Sequence, residues 1–238
     1  MRKIDPFSLF ISKQALYMIE VDPQDENLRK VRVGDRLLIN PTFVFDFDGT
    51  LARTKREYLS MFLKILRDLG KEVKPAELEK VMGGRMREVL SNFLKGDELE
   101  IALRKARSGI KSIAKKIKLR KGAKKVLGIL RKIGKIYLVS NSNRDFIESV
   151  LKRNRILGFF GEIFPAERKE SKEEVIRKIQ RENKGMVFYI GDMVRDVKIA
   201  KKANSVSIAI PGWDKKSQLK KAKPDFLIND LEEILMIL

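Results

Sequence analysis

The chain has neither cysteine nor histidine among its 238 residues. Without cysteine there are no disulfides, thiolate metal ligands or thiol nucleophiles. Without histidine there is no imidazole acid–base catalysis, no Ser-His-Asp triad and no His-ligated metal. No apolar run approaches the ~20 residues of a membrane-spanning helix. The stretch Met1-Arg2-Lys3-Ile4-Asp5-Pro6 carries no signal-peptide core, so a cytoplasmic location without a membrane partner is expected. Chemistry here must rest on carboxylates, Lys or Arg, hydroxyls and a hard metal.

Charge is abundant. Lys and Arg number 52 against 32 Asp and Glu, a formal +20. A Lys- and Glu-rich composition without cysteine matches the pattern associated with hyperthermophile proteins. The excess is uneven, however: Ile101 to Arg144 holds fifteen Lys and Arg and no acid. A basic face of this kind suits an anionic partner, either a phosphate ester or nucleic acid. Tyr137 is the one aromatic residue in that stretch, which gives little basis for stacking on single strands.

Three regions follow from the patterning. Residues 1–41 read as a small β appendage, with strand-like stretches at Ala15–Val21 and Val31–Asn40 and a hairpin or bulge at Gly34-Asp35. Residues 53–120 read as a helical insertion. Tyr58, Met61, Phe62, Ile65, Leu66 and Leu69 recur at helical spacing, and a further helix over Leu99–Ile117 is expected to break near Gly109. Residues 42–52 and 121–238 alternate strand and helix: helices at Ala123–Ile133, Asp145–Arg153, Lys172–Glu182 and Val197–Ala203; strands at Lys135–Val139, Glu162–Phe164, Met186–Ile190, Val206–Ile210 and Phe226–Ile228; and a C-terminal helix from Leu231. That alternation predicts an α/β fold with a parallel sheet covered by helices on both faces.

The stretch "TFVFDFDGTL", Thr42 to Leu51, concentrates the chemistry. Phe43, Val44 and Phe45 have the composition of a strand buried on both faces, and Asp46 and Asp48 then place two carboxylates two positions apart. Burying like charges together is costly unless a cation or proton neutralises them. Ligands of open α/β sheets bind beyond the carboxyl ends of the strands, and the other polar clusters fall at such ends. Ser140-Asn141 follows Lys135–Val139, and Asp192 and Asp196 follow Met186–Ile190. Several hard oxygen ligands around one point suit Mg²⁺.

This ordered set resembles the haloacid dehalogenase superfamily over roughly residues 42–235. Its motifs are Asp46-x-Asp48-Gly49-Thr50, then Ser140, then a basic residue, then Gly191-Asp192-x-x-x-Asp196. The resemblance implies a Rossmann-like core carrying a helical cap at 53–120. It also implies an Mg²⁺-dependent phosphatase of small phosphate monoesters, similar to phosphoglycolate phosphatases. By that likeness Asp46 is the nucleophile that forms an aspartyl-phosphate, and Asp48 is the general acid and base. The metal is held by Asp46, the backbone carbonyl of Asp48 and Asp192. Asp196 orients the motif lysine or lies just outside the metal's ligands. Ser140, Asn141 and the lysine bind phosphate oxygens. Thr50 supports the site, and Gly49 lets the backbone turn closely around the phosphoryl group. The lysine is Lys172, at the start of "KEEVIRKI", with Lys169 as second choice. Arg85, in "MGGRMRE" between two helical stretches of the insertion, is expected to contact a substrate carboxylate and set specificity. The alternative function is a nucleic-acid-associated protein or polynucleotide phosphatase that uses the basic face and the β appendage.

Overall fold

The structure, a computed structural model, describes residues 7–12, 15–21, 29–33, 36–183 and 185–238. Four strands, β1 (Phe7–Ser12), β2 (Ala15–Val21), β3 (Arg29–Val33) and β4 (Arg36–Ile39), form an antiparallel meander in chain order. The first strand has no counterpart among the elements expected from the sequence. Val31–Asn40 resolves into β4 and part of β3, which pair as a hairpin with Lys30 opposite Ile39. Gly34-Asp35 lies outside the described residues.

The next strand, β5 (Thr42–Phe45), is buried throughout. Phe43 and Phe45 belong to one core cluster and Val44 to another, as alternation across a doubly covered sheet requires. Phe43 stacks on Phe188 with ring centroids 5.4 Å apart.

The chain then leaves the sheet through β6 (Ala52–Arg53) into α1 (Lys55–Asp68), α2 (Pro75–Val81), α3 (Met86–Leu90) and α4 (Gly96–Ala114), and returns through β7 (Lys118–Leu119). The two short strands pair antiparallel, Ala52 opposite Leu119 and Arg53 opposite Lys118, and close the neck of the insertion. Sequence periodicity gave no sign of this ribbon, because two residues are too few to carry one. The expected break at Gly109 is also absent: α4 runs through it. A Cβ there would lie 2.8 Å from the Met61 sulfur, so the glycine lets α1 approach α4 instead of ending the helix.

Beyond the neck come α5 (Ala123–Ile133), β8 (Lys135–Val139), α6 (Arg144–Arg153), β9 (Glu162–Phe164), α7 (Lys172–Glu182), β10 (Val187–Gly191), α8 (Val194–Lys202) and β11 (Val206–Ala209). The chain closes with α9 (Lys216–Lys221), β12 (Phe226–Leu227) and α10 (Ile234–Ile237). The helix at Lys216–Lys221 was not foreseen. The C-terminal helix opens as a 3-10 turn at Leu231–Glu233, capped by the Asp230 side chain, which accepts from the Glu232 N–H at 2.9 Å.

The six core strands form one parallel sheet in the order β12-β11-β10-β5-β8-β9. Strand order therefore reverses around β5, and ligand crevices open at such switch points beyond the strands' carboxyl ends. Among the described residues, no helix is long and apolar enough to cross a membrane.

Candidate active site

Three of the central strands deliver polar residues to one crevice. Asp46 directly follows β5, and its N–H donates to the Ile190 carbonyl at 2.9 Å, which extends the sheet ladder and fixes the backbone. Ser140 follows β8, with its N–H on the Phe164 carbonyl at 3.0 Å. Asp192 follows β10 and is fully buried. The carboxylates of Asp46, Asp192 and Asp196 bring oxygens within 4.8 Å of one another.

Lys172, buried at the first turn of α7, donates to Asp46 Oδ1 at 2.7 Å and to Asp196 Oδ1 at 3.4 Å. Lys169 is exposed and reaches none of these acids. Asp196 also accepts from the Tyr189 hydroxyl at 3.0 Å and from the Met193 N–H at 3.0 Å. It is thus both an orienting partner of Lys172 and a member of the acidic cluster. Asp192 accepts from Thr50 Oγ1 at 3.0 Å and from the Trp213 N–H at 2.5 Å. Gly49 takes φ +83°, and a Cβ there would collide with the Asp192 carboxylate. Only glycine combines that conformation with that proximity.

The side chain of Asp48 turns to different partners. Its Oδ2 accepts from Ser142 Oγ at 2.6 Å and from Ser140 Oγ at 3.3 Å. The Ser142 hydroxyl in turn lies 2.8 Å from the Tyr58 hydroxyl. Since Ser142 gives its proton to Asp48, Tyr58 donates to Ser142. Asp48 Oδ1 makes no hydrogen bond of good geometry among the described residues, although the Thr54 hydroxyl lies close enough to favour the ionised carboxylate.

Burial raises the pKa of Asp46 to about 7, with Asp196 and Asp48 adding to the rise and Lys172 opposing it. Burial likewise raises Asp48 against the hydroxyl of Ser142, and raises Asp192 well above the usual carboxylate range with help from Asp46 and Asp196. For Lys172 burial works against the charge, but Asp46 and Asp196 outweigh it and the pKa ends above its ordinary value. One buried ammonium faces Asp46, Asp192 and Asp196, with Asp48 beside them. That deficit of positive charge is what a divalent cation would fill, and an all-oxygen donor set suits Mg²⁺.

Two expected contacts are engaged elsewhere. The Arg85 guanidinium donates to the carbonyls of Arg168 at 2.7 Å and Glu170 at 3.3 Å, and Arg85 does not line the cavity at Asp46. Its charge is stabilised by backbone carbonyls, where the expected role required it to face a substrate carboxylate. The Asn141 amide donates to the Gly83 carbonyl at 2.8 Å and accepts from Arg168 at 2.8 Å, although Asn141 does border the cavity.

Several site residues went unrecognised in the sequence. Ser142 sits two positions after Ser140 in "SNSN" and could have been found by the same strand-end argument. Tyr58 could not, since its helical spacing marks it as a core-facing aromatic, and Trp213 donates a backbone N–H, which side-chain motifs do not reveal.

The sequence model for haloacid dehalogenase-like hydrolases matches residues 43–210. A protein described as "Putative pyrophosphatase PpaX", from Caldanaerobacter subterraneus subsp. tengcongensis, is 26% identical over 206 residues, which cover 82% of this chain and 93% of that one. Among solved structures, a haloacid dehalogenase-like family hydrolase from Streptococcus pneumoniae superposes with a TM-score of 0.72 at 21% identity, covering 82% of this chain and 97% of that one. A structure described as a predicted phosphoglycolate phosphatase from Haemophilus somnus 129PT gives a TM-score of 0.74 at 18% identity, covering 82% and 96%. At those identities the solved structures establish the fold. The family match spans well over half the sequence and contains Asp46, Asp48, Ser140, Lys172, Asp192 and Asp196; the chain belongs to the haloacid dehalogenase-like hydrolases.

Proposed function

We propose that this protein is an Mg²⁺-dependent phosphatase of small phosphate monoesters that works through an aspartyl-phosphate on Asp46. The observation that carries the reading is the environment of Asp46. It is a buried carboxylate at the switch point of the sheet, oriented by Lys172 at 2.7 Å, with Asp48 held separately by Ser142 and Ser140.

In the first step a carboxylate oxygen of Asp46 attacks phosphorus and the P–O bond to the alcohol breaks. Asp48, held beside the reacting centre by Ser142 and Ser140, delivers a proton to the departing oxygen. In the second step Asp48 takes a proton from water, the water oxygen attacks phosphorus, and the Asp46–phosphorus bond breaks to release inorganic phosphate. Lys172 and the Ser140 hydroxyl stabilise charge on the phosphoryl oxygens. A magnesium ion held by Asp46, Asp192 and the Asp48 carbonyl, with Asp196 at the edge of the cluster, would supply charge neutralisation at the transferring group.

The helices between β5 and β8 act as the cap over this crevice, since Gly83, Met86 and Val89 reach the cavity that Asp46 lines. The polynucleotide alternative gains nothing from this cavity, in which Lys172 is the one cationic lining residue among the described residues. A cytoplasmic location belongs to the proposal and is consistent with a chain free of cysteine.

The test is phosphate release from a panel of monoesters. Hydrolysis should require Mg²⁺, stop in EDTA and be poorly supported by Ca²⁺, whose longer and more numerous bonds would misplace the nucleophile. Full activity in chelator would overturn the metal assignment, and activity surviving in Asp46→Asn would overturn the nucleophile.

A further inference from the structure

We infer that the leaving group this enzyme accepts is small, uncharged and apolar, so that its substrates are simple alkyl phosphates and not esters carrying a second anion. The inference rests on the phosphatase reading and concerns the wall opposite Asp46. Every side chain that the helical insertion contributes to the cavity is uncharged, and most are apolar: Phe62, Met82, Met86, Val89 and Ile110, with Tyr58 committed through its hydroxyl to Ser142. Met193 and Trp213 extend the same wall from the core side.

The cavity measures about 50 Å³, which favours a short chain beyond the phosphoryl group. Among the described residues, the one cation lining it, Lys172, is bound to Asp46 and Asp196. Arg85, expected from its place in the sequence to meet a second anion, has its guanidinium on two backbone carbonyls. A carboxylate or second phosphate on the leaving group would therefore be desolvated against methionine and isoleucine without a counter-charge, which is strongly unfavourable. A methylene in the same place gains about fourfold in transition-state binding for each group buried. The products would be an uncharged alcohol and inorganic phosphate.

The experiment compares kcat/KM with Mg²⁺ for propyl phosphate, phosphoglycolate and pyrophosphate, which are close in size but differ in the charge of the departing group. Propyl phosphate should be favoured by at least about tenfold over either of the others. Met86→Lys places a cation of similar length on the apolar wall. It should narrow the ratio of propyl phosphate to phosphoglycolate by at least about tenfold, while Met86→Leu should leave it within about threefold.

Faster turnover of phosphoglycolate or pyrophosphate by the unmodified protein would overturn the inference. So would a ratio unmoved by Met86→Lys in a protein whose circular dichroism shows it folded. Hydrolysis of none of the three, or of any other monoester, is a separate result: it would sink the phosphatase reading itself, and the inference with it.

Discussion

Asp46 accepts a hydrogen bond from an ammonium at 2.7 Å and still has its pKa lifted to about 7. Burial and two neighbouring carboxylates outweigh one cation, and the consequence can be measured without any substrate. An acid whose folded pKa lies above its unfolded value binds more protons in the native state between the two. Stability from this group is therefore greatest below the unfolded value near 3.8 and declines as pH rises through about 7. Asp46→Asn removes the group in its uncharged form. In metal-free protein the variant should gain on the parent as pH rises from 4.5 to 8, by on the order of a few kcal/mol at the upper end. Urea midpoints at the two pH values measure this, and Mg²⁺ should cancel the gain by stabilising the parent alone. A variant less stable than the parent at pH 8 in EDTA would mean that the ion pair with Lys172 dominates the carboxylate's environment. In the proposed reaction the same substitution should abolish turnover, and Asp48→Asn should lower kcat by roughly a hundredfold to ten-thousandfold. These acids were legible in the sequence because polar residues that end a doubly buried strand have few structural explanations. Ser142 and Asp48 Oδ1 were less so, since their meaning depends on which oxygen faces which hydroxyl.

The loop from Met82 to Arg85 joins α2 to α3 and lies over the crevice, tied to the core at two points. The Arg85 guanidinium reaches the Arg168 and Glu170 carbonyls, and the Gly83 carbonyl accepts from Asn141. Gly83 takes φ +95°, so the loop adopts a turn that other residues would strain. These bonds make Arg85 a latch between insertion and core. Arg85→Ala should then weaken every substrate alike, raising KM by about threefold to tenfold for a partly exposed charge-assisted contact, with the propyl phosphate to phosphoglycolate ratio unchanged. A loss confined to phosphoglycolate would restore the specificity role suggested by "MGGRMRE". At this scale the sequence was most readable where periodicity was long. Ala123–Ile133, Lys135–Val139 and Lys172–Glu182 coincide with α5, β8 and α7. It was least readable where one residue serves a distant neighbour. Gly109 has the local character of a breaker, but its role is set by Met61 on another helix. The latch was illegible for the same reason: Arg85 and its carbonyl partners lie 83 and 85 positions apart.

Over the whole molecule, a formal charge of +20 means that repulsion among cations opposes folding at neutral pH. One such pair of cations meets at the neck of the insertion. Arg53 on β6 stands directly opposite Lys118 on β7, both exposed, and Arg120 donates to the carbonyls of Gly49 and Pro211 close by. Burial holds the Arg120 pKa below its usual value against the opposing charge of Asp192, and Arg53 adds a smaller push in the same direction as burial. Neither Arg53 nor Lys118 forms an ion pair with an acid among the described residues. Like charges facing each other across a two-stranded ribbon are destabilising by a few tenths to about 1 kcal/mol. Arg53→Gln and Lys118→Gln should therefore each raise the denaturation midpoint in low-salt buffer. The double variant should gain less than the sum of the two, because either single change already removes the repulsion. The gain should shrink toward zero at about 1 M salt, where charges are screened within ~3 Å. Equal gains at low and high salt would assign the effect to strand propensity instead of charge. A loss of stability in either variant would mean that the guanidinium and ammonium groups contribute more through their packed alkyl stems than their repulsion costs.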